Sequence, residues 1–265
     1  MSNYGNQQAR FGSTVARGDA QAIDQGLRSY MLSIYNYMAI GVLLTGIVAL
    51  VVYNMAVTTV GAPDAVAQVR GGLALTEFGR LIYISPLKYL IMFAPLGVVL
   101  LFSWQLNRMQ VATAQAVFWL YAALVGASLS IIFLIYTATS IVQVFFVTAI
   151  AFGGLSLYGY TTRRSLSAMG SFLMMGLFGL IGASLLNLFF HSGALQFAIS
   201  VIGVLIFAGL TAYDTQKLKE QYIYSLDYAD GTAVGRAAVA GALNLYLDFI
   251  NIFLYLLQIF GQQRD

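Results

Sequence analysis

The sequence predicts an all-α integral membrane protein that crosses the bilayer several times. Of its 265 residues, 60% are hydrophobic and 9% are charged, with a mean hydropathy of +0.80, whereas soluble globular domains are about 25% charged. The apolar residues form seven runs, each near the ~20 helical residues that cross a hydrocarbon core. The absence of cysteine and a single histidine, His191, exclude disulfides, cysteine nucleophiles and the usual transition-metal ligands. The basic residues are dispersed, which argues against a nucleic-acid partner.

Two parts of unequal size are predicted. Residues 1–28 are polar and mixed in charge, which is typical of a flexible cytosolic tail, and residues 29–265 form the membrane domain. The predicted spans are 31–53, 86–104, 111–133, 141–160, 169–190, 195–216 and 237–260. The segment 54–85 holds charged residues, Pro63 and two adjacent glycines, and we expect it to be a loop.

Small residues and a proline predict how some spans pack. Gly126, Ala127 and Ser130 give the third span a small face, and Gly179 with Ala183 forms a small-xxx-small pair in the fifth span. Such faces let helix backbones approach closely in membranes. Pro95 lies inside the second span and predicts a kink there.

The distribution of Lys and Arg predicts the orientation. If the spans alternate, nine of the 13 basic residues lie on the side of the N-terminus and four on the other. The nine are Arg10, Arg17, Arg28, Arg108, Arg163, Arg164, Lys217, Lys219 and Arg236. Because basic residues accumulate in cytoplasmic loops, the N-terminus is predicted to be cytosolic and the C-terminus outside.

Two carboxylates lie inside the last two apolar runs. Asp214 stands near the end of the sixth, and Asp248 is the only charged residue between 237 and 260. A charge at membrane depth is costly and indicates a functional site with a partner. The partner that each aspartate most obviously has is the other.

The seventh run carries a polar stripe around its aspartate. Asn244, Asp248, Asn251, Tyr255 and Gln258 follow one another at spacings of four, three, four and three residues. On a helix this spacing confines them to one narrow face. We therefore expect the stripe to be shielded from lipid and to face the interior of the bundle.

The residues around both aspartates closely resemble the Bax inhibitor-1 family in its bacterial form. The resemblance rests on GLTAYDTQ at 209–216 and LNLYLDFINIFLYLL at 243–257. It implies seven helices with the last one central, a location in the bacterial cytoplasmic membrane, and a calcium leak whose pH sensor is the pair Asp214 and Asp248. Gln258 departs from the family, since a basic residue often stands there. The tail 262–265 lacks the Lys-rich end of animal members, whose partners are therefore not transferred.

Elementary geometry supports such a pair. Counted from the predicted cytosolic ends of their spans, Asp248 lies ~10 Å deep and Asp214 ~5 Å deep at 1.5 Å per residue. This difference of one helical turn is within reach of ordinary helix tilt. Two carboxylates in one low-dielectric site cannot both ionise at low cost, so we expect them to share a proton and to titrate as a unit.

Further polar residues are predicted to support the pair. Arg108, at the cytosolic end of the second span, is a candidate latch for a released carboxylate. Calcium takes six to eight oxygen ligands in a tight site, so the two aspartates predict weak, transient calcium binding, with supporting oxygens from Asn244, Asn251 and Thr215. No cofactor is expected, and calcium would be the transported ion.

Two other classes of function compete with the leak. Intramembrane aspartyl proteases also carry aspartates on their sixth and seventh helices, and Tyr213-Asp214 fits their first motif. The second such motif has Gly-x-Gly before the aspartate, but Leu245 to Leu247 precede Asp248, so we expect no enzymatic activity. The other class is a non-transporting regulator that binds membrane proteins, for example a membrane-bound quality-control protease.

Overall fold

The protein is helical along most of its length in the computed structural model, which describes residues 4–69, 72–225 and 231–264. In this part of the chain, seven helical segments are long and apolar enough to cross a membrane. The helices are α1 (Tyr4–Ala56), α2 (Glu77–Tyr83), α3 (Leu87–Gln105), α4 (Val111–Leu129), α5 (Ile132–Ile135), α6 (Ala138–Thr161), α7 (Ser167–Phe190), α8 (Gly193–Ser225) and α9 (Gly231–Phe260). α4 and α5 together form one span, and α2 belongs to no span. The predicted seven-helix membrane fold is therefore confirmed.

The spans lie where hydropathy predicts them, but several helices are longer than their apolar runs. α8 continues nine residues past the predicted end at Gln216, and α9 begins six residues before Ala237. α8 continues because Leu218 is buried and Tyr222 stacks on Tyr30 of α1 with ring centroids 5.0 Å apart. α1 begins at Tyr4, inside the predicted tail; that 1–28 is flexible and cytosolic stays a prediction.

α9 lies at the centre of the bundle, as the resemblance implies. It is buried along most of its length and packs against α1, α4, α6 and α8. Its Tyr246 is fully buried and meets Phe118 and Tyr121 of α4 edge-on, at centroid distances of 5.8 and 5.9 Å. The Tyr246 hydroxyl lies 2.6 Å from Thr45 Oγ1 of α1. One side chain thus joins three helices.

Replacing Tyr246 with alanine should therefore destabilise the bundle strongly. Aromatic-to-alanine changes in packed cores cost ~3–5 kcal/mol, and this one also removes a buried hydrogen bond. The matched control is Tyr224→Ala, because the Tyr224 side chain is 78% exposed. Thermal unfolding in detergent should show a large fall in midpoint for Tyr246→Ala and little change for the control; equal shifts would contradict the central packing.

Small residues bring some helix backbones together, though not all those predicted. On α4, a Cβ at Gly126 would lie 2.6 Å from the Thr45 carbonyl oxygen of α1, and Ser128 donates to Ile91 O of α3. The close approach predicted at Gly126 is therefore confirmed. The predicted contact of Gly179 is wrong, because no atom lies within 4 Å of its Cβ position. It faces an open groove between α7 and α8.

The segment predicted as a loop contains regular structure. Strands β1 (Val57–Thr59), β2 (Ala67–Gln68) and β3 (Leu73–Leu75) form an antiparallel sheet in the order β1-β3-β2. Helix α2 follows, and Thr76 caps it by accepting a hydrogen bond from the Gly79 amide. Ala74 and Leu75 are buried. Strands of this length could not be recognised in the sequence because charged residues and glycines surround them.

The residues that follow α9 contact the ends of other helices. After α9, the main chain at 262–264 pairs with α5 and the start of α6: Thr137 N donates to Gln262 O, and Arg264 N donates to Ile135 O. The Arg264 guanidinium donates to the Tyr53 hydroxyl near the end of α1. The C-terminal ends of the first and seventh spans therefore share one side, as an odd number of spans requires. Which side is cytosolic stays a prediction.

Candidate functional site

The register of α8 against α9 determines where the two aspartates lie. The helices are antiparallel neighbours. Near one end Ser200 donates to the Gln258 side chain at 2.8 Å, and near the other the Leu218 side chain packs against Gly241. Between these contacts, Asp214 is level with Asn244, one helical turn from Asp248. Successive turns are ~5.4 Å apart.

Asp214 of α8 and Asp248 of α9 lie on facing helices, about one helical turn apart along the bundle. Asp214 is half-buried, and Lys217 lies one turn further along α8. The Lys217 ammonium lies over the Tyr213 ring, 5.8 Å from its centroid. The predicted depth difference of one turn matches this register.

Asp248 has an unusual environment. Its side chain is 4% exposed, and Oδ2 is the only buried side-chain oxygen or nitrogen in the described part of the chain that has no hydrogen-bond partner. An unsatisfied buried polar atom costs about 1–3 kcal/mol, and more if it is charged. Natural proteins satisfy nearly all such atoms, so an exception needs an explanation.

The polar stripe on α9 avoids the lipid for most of its length. The Tyr255 ring packs on Gly203 and stacks with Phe207 of α8 at 6.0 Å. Asn251 is half-buried and donates to the Leu247 carbonyl of its own helix. Asn244 is exposed, but to a cavity between helices. The stripe faces α8 and this cavity, as its spacing predicts.

The cavity beside Asn244 has a volume of about 410 Å³ and lies between α1, α8, α9 and the turn after α3. Tyr30, Gln221, Tyr222 and Arg236 contribute to its polar lining. It reaches to within one helical turn of Asp248, since Asn244 precedes that residue by four positions. These lining residues could not be predicted from hydropathy because they lie where α8 and α9 extend beyond their apolar runs. The recurrence of Leu218, Tyr222 and Ser225 at helical spacing was the available signal.

Thr215 takes part in a different group of contacts. Its hydroxyl donates to the Thr211 carbonyl and lies 2.9 Å from Ser156 Oγ of α6, which lies 2.6 Å from the Tyr35 hydroxyl of α1. No hydrogen bond joins Thr215 to either aspartate. These three hydroxyls connect α1, α6 and α8, so Thr215 contributes to packing, and its predicted place among the ligands has no contact to support it.

The proposed latch does not reach the aspartates. Arg108 is exposed in the 3-10 turn after α3, and among described residues the one ion pair joins Arg80 to Glu77. Arg236 of α9 instead contacts the α3–α4 connection, where it donates to the Met109 carbonyl at 3.2 Å. This contact was not predicted because Arg236 lies before the apolar run of the seventh span.

The donors present suit a weak cation site better than a tight one. The described residues contain no cluster of three or more His, Cys, Asp or Glu side chains. The free Oδ2 of Asp248 and the carboxylate of Asp214 are hard oxygen ligands of the kind that calcium prefers. A cation there would need water for most of its coordination.

The family model for the inhibitor of apoptosis-promoting Bax1 matches residues 27–265. The chain belongs to the Bax inhibitor-1 family. The match covers the whole membrane domain and both aspartate motifs, and the resemblance drawn from the two motifs is confirmed.

Relatives of this Bax inhibitor-1 chain occur in several bacteria. A Rickettsia prowazekii protein is 47% identical over 92% of this chain and 94% of its own length. A Caulobacter vibrioides protein is 45% identical over 92% of each. The Escherichia coli K12 inner membrane protein YbhL is 42% identical over 90% of this chain and 94% of its own length.

Proposed function

We propose that this protein is a pH-sensitive cation leak, with calcium as the ion, in which protonation of Asp214 and Asp248 controls passage. We further propose that it lies in the inner membrane, as the name of YbhL states for that relative, and that it has no enzymatic activity. The observation that carries the proposal is the buried, unpartnered Oδ2 of Asp248, about one helical turn along the bundle from Asp214 on the facing helix. A buried oxygen without a partner does not stabilise the fold, whereas binding of a proton or a cation would give it a partner.

The cavity beside Asn244 supports access to the pair from one end of the bundle. Its lining is partly polar, with Gln221, Tyr222, Arg236 and Asn244 among its residues, and it ends one turn from Asp248. Water and cations in it would come within one helical turn of Asp248 without crossing lipid.

Past Asp248, the path that an ion would take from the cavity is closed. Ile252, Phe253, Leu256 and Leu257 of α9 are buried, and these side chains fill the interior toward the C-terminal end of the helix. Passage therefore requires α8 or α9 to move. Ionisation of both aspartates would drive such a movement, because two negative charges about one helical turn apart repel each other in a low-dielectric site.

The deciding experiment measures calcium efflux from liposomes that contain the purified protein, over a range of external pH. We expect efflux above that of protein-free liposomes, and we expect it to rise as pH rises because ionisation loosens the α8–α9 contact. Liposomes with heat-inactivated protein control for leakage caused by reconstitution. Efflux equal to that of protein-free liposomes at every pH would refute the leak and favour the non-transporting regulator of membrane proteins.

A further inference from the structure

A lipid-facing seam separates α1 from α6. Among the described residues, the backbones of the two helices make few close approaches, although the Tyr35 and Ser156 hydroxyls are hydrogen-bonded between them. Two crevices lie between them, of about 570 Å³ and 460 Å³. Along α1 the crevices extend from Arg28 to Leu50, which is ~33 Å at 1.5 Å per residue and close to the ~30 Å of a hydrocarbon core.

The seam has apolar walls, and its edges are open to the bilayer. Leu32 of α1 and Leu157 of α6 line the crevice at the Arg28 end, and their side chains are 51% and 63% exposed. The hydroxyls of Tyr35 and Ser156 are hydrogen-bonded to each other across its floor. The crevice therefore offers an occupant mostly apolar surface, and the Tyr35 and Ser156 hydroxyls in it are already paired.

Two cations stand where this crevice reaches the end of the bundle. Arg28 lines it, is exposed, and makes no ion pair with a described residue, although Asp24 is four residues away on the same helix. Lys219 of α8 donates to the Tyr160 carbonyl at 3.0 Å and lies 5.3 Å from the centroid of the Tyr160 ring. Because Tyr160 also lines the crevice, the lysine is held beside it.

We propose that this crevice is a binding site for an anionic phospholipid. One acyl chain would lie between α1 and α6, and the phosphate would contact Arg28 and Lys219. Basic pockets between membrane helices on the cytoplasmic side bind anionic headgroups, and here such a pocket continues directly into an apolar crevice. A transmembrane helix does not fit, since it is ~10 Å wide with side chains and the Tyr35–Ser156 hydrogen bond closes the floor. This proposal is independent of ion passage.

Native mass spectrometry of the full-length protein with phosphatidylglycerol and phosphatidylcholine tests the proposal. The protein should retain phosphatidylglycerol in preference to phosphatidylcholine, and Arg28→Gln should lower that preference about fivefold, the equivalent of ~1 kcal/mol per basic residue near the surface. Arg163→Gln is the matched control, because Arg163 is exposed and does not line the crevice.

A second pair of variants tests the apolar part of the site. Gly153 and Gly154 are exposed neighbours on α6 with no atom within 4 Å of their Cβ positions, but only Gly153 lines the crevice. Gly153→Leu should reduce retention of both lipids, and Gly154→Leu should not. The proposal is overturned if the unaltered protein shows no preference for phosphatidylglycerol, or if both members of either pair behave alike. Since Arg28→Gln changes an exposed side chain, that comparison stands even if Gly153→Leu fails to fold.

Discussion

Asp248→Asn is expected to abolish most of the pH dependence of calcium efflux and to hold efflux at the low value of the protonated protein at every pH. The amide has nearly the same shape as the carboxyl but cannot ionise, so the repulsion that we propose to loosen α8 from α9 does not develop. Asp214→Asn should act in the same direction, because removal of either charge removes the repulsion. The measurement is efflux from calcium-loaded liposomes at a series of pH values.

Asp64→Asn is the matched control for these substitutions. Asp64 is exposed in the loop between β1 and β2, where it accepts a hydrogen bond from Thr58, and its replacement should leave the pH profile unchanged. Thermal midpoints near that of the unaltered protein would show that the asparagine variants fold. If both variants fold and keep the original pH profile, the aspartates do not act as the sensor.

The centre of the site was predictable because a charge inside a membrane is rare and expensive. Asp214 and Asp248 were conspicuous for that reason. The spacing of Asn244 and Tyr255 about Asp248 gave the face of α9 that turns inward. Helix periodicity is determined locally, and so it can be read from one sequence.

Features that depend on contacts between distant segments were not predictable in the same way. The cavity is formed by extensions of α8 and α9 that are polar in part. Hydropathy therefore predicted that α8 ends near Gln216, although Leu218 continues the buried face of this helix. The hydroxyl of Thr215 pairs with Ser156, 59 residues earlier, and no local pattern distinguishes that partner from Asp248. The same holds for Arg108, the candidate latch, because a position near the same predicted membrane surface does not establish a contact.

Gly159→Ala is expected to destabilise the bundle although it adds a single methyl group. Gly159 lies on α6 against the backbone of α8, and a Cβ there would be 2.2 Å from the Ala212 carbonyl oxygen and 2.9 Å from its carbon. Backbone atoms cannot rotate away as a side-chain end can, so the helices must separate. Overpacking of a close contact costs ~1–3 kcal/mol, which should appear as a lower thermal midpoint in detergent.

Gly154→Ala on the same helix gives the opposite expectation. With no atom within 4 Å of its Cβ position, the added methyl meets open space, and alanine is favoured over glycine in a helix interior by ~1 kcal/mol. The two variants should therefore shift the midpoint in opposite directions, and a Gly159→Ala protein as stable as the unaltered one would show that α6 and α8 are not in backbone contact. Because Ala212 is two residues before Asp214, separation of the helices at Gly159 should also move the aspartate relative to Asp248. An altered pH profile of efflux in this variant would then connect the packing of α6 to the site.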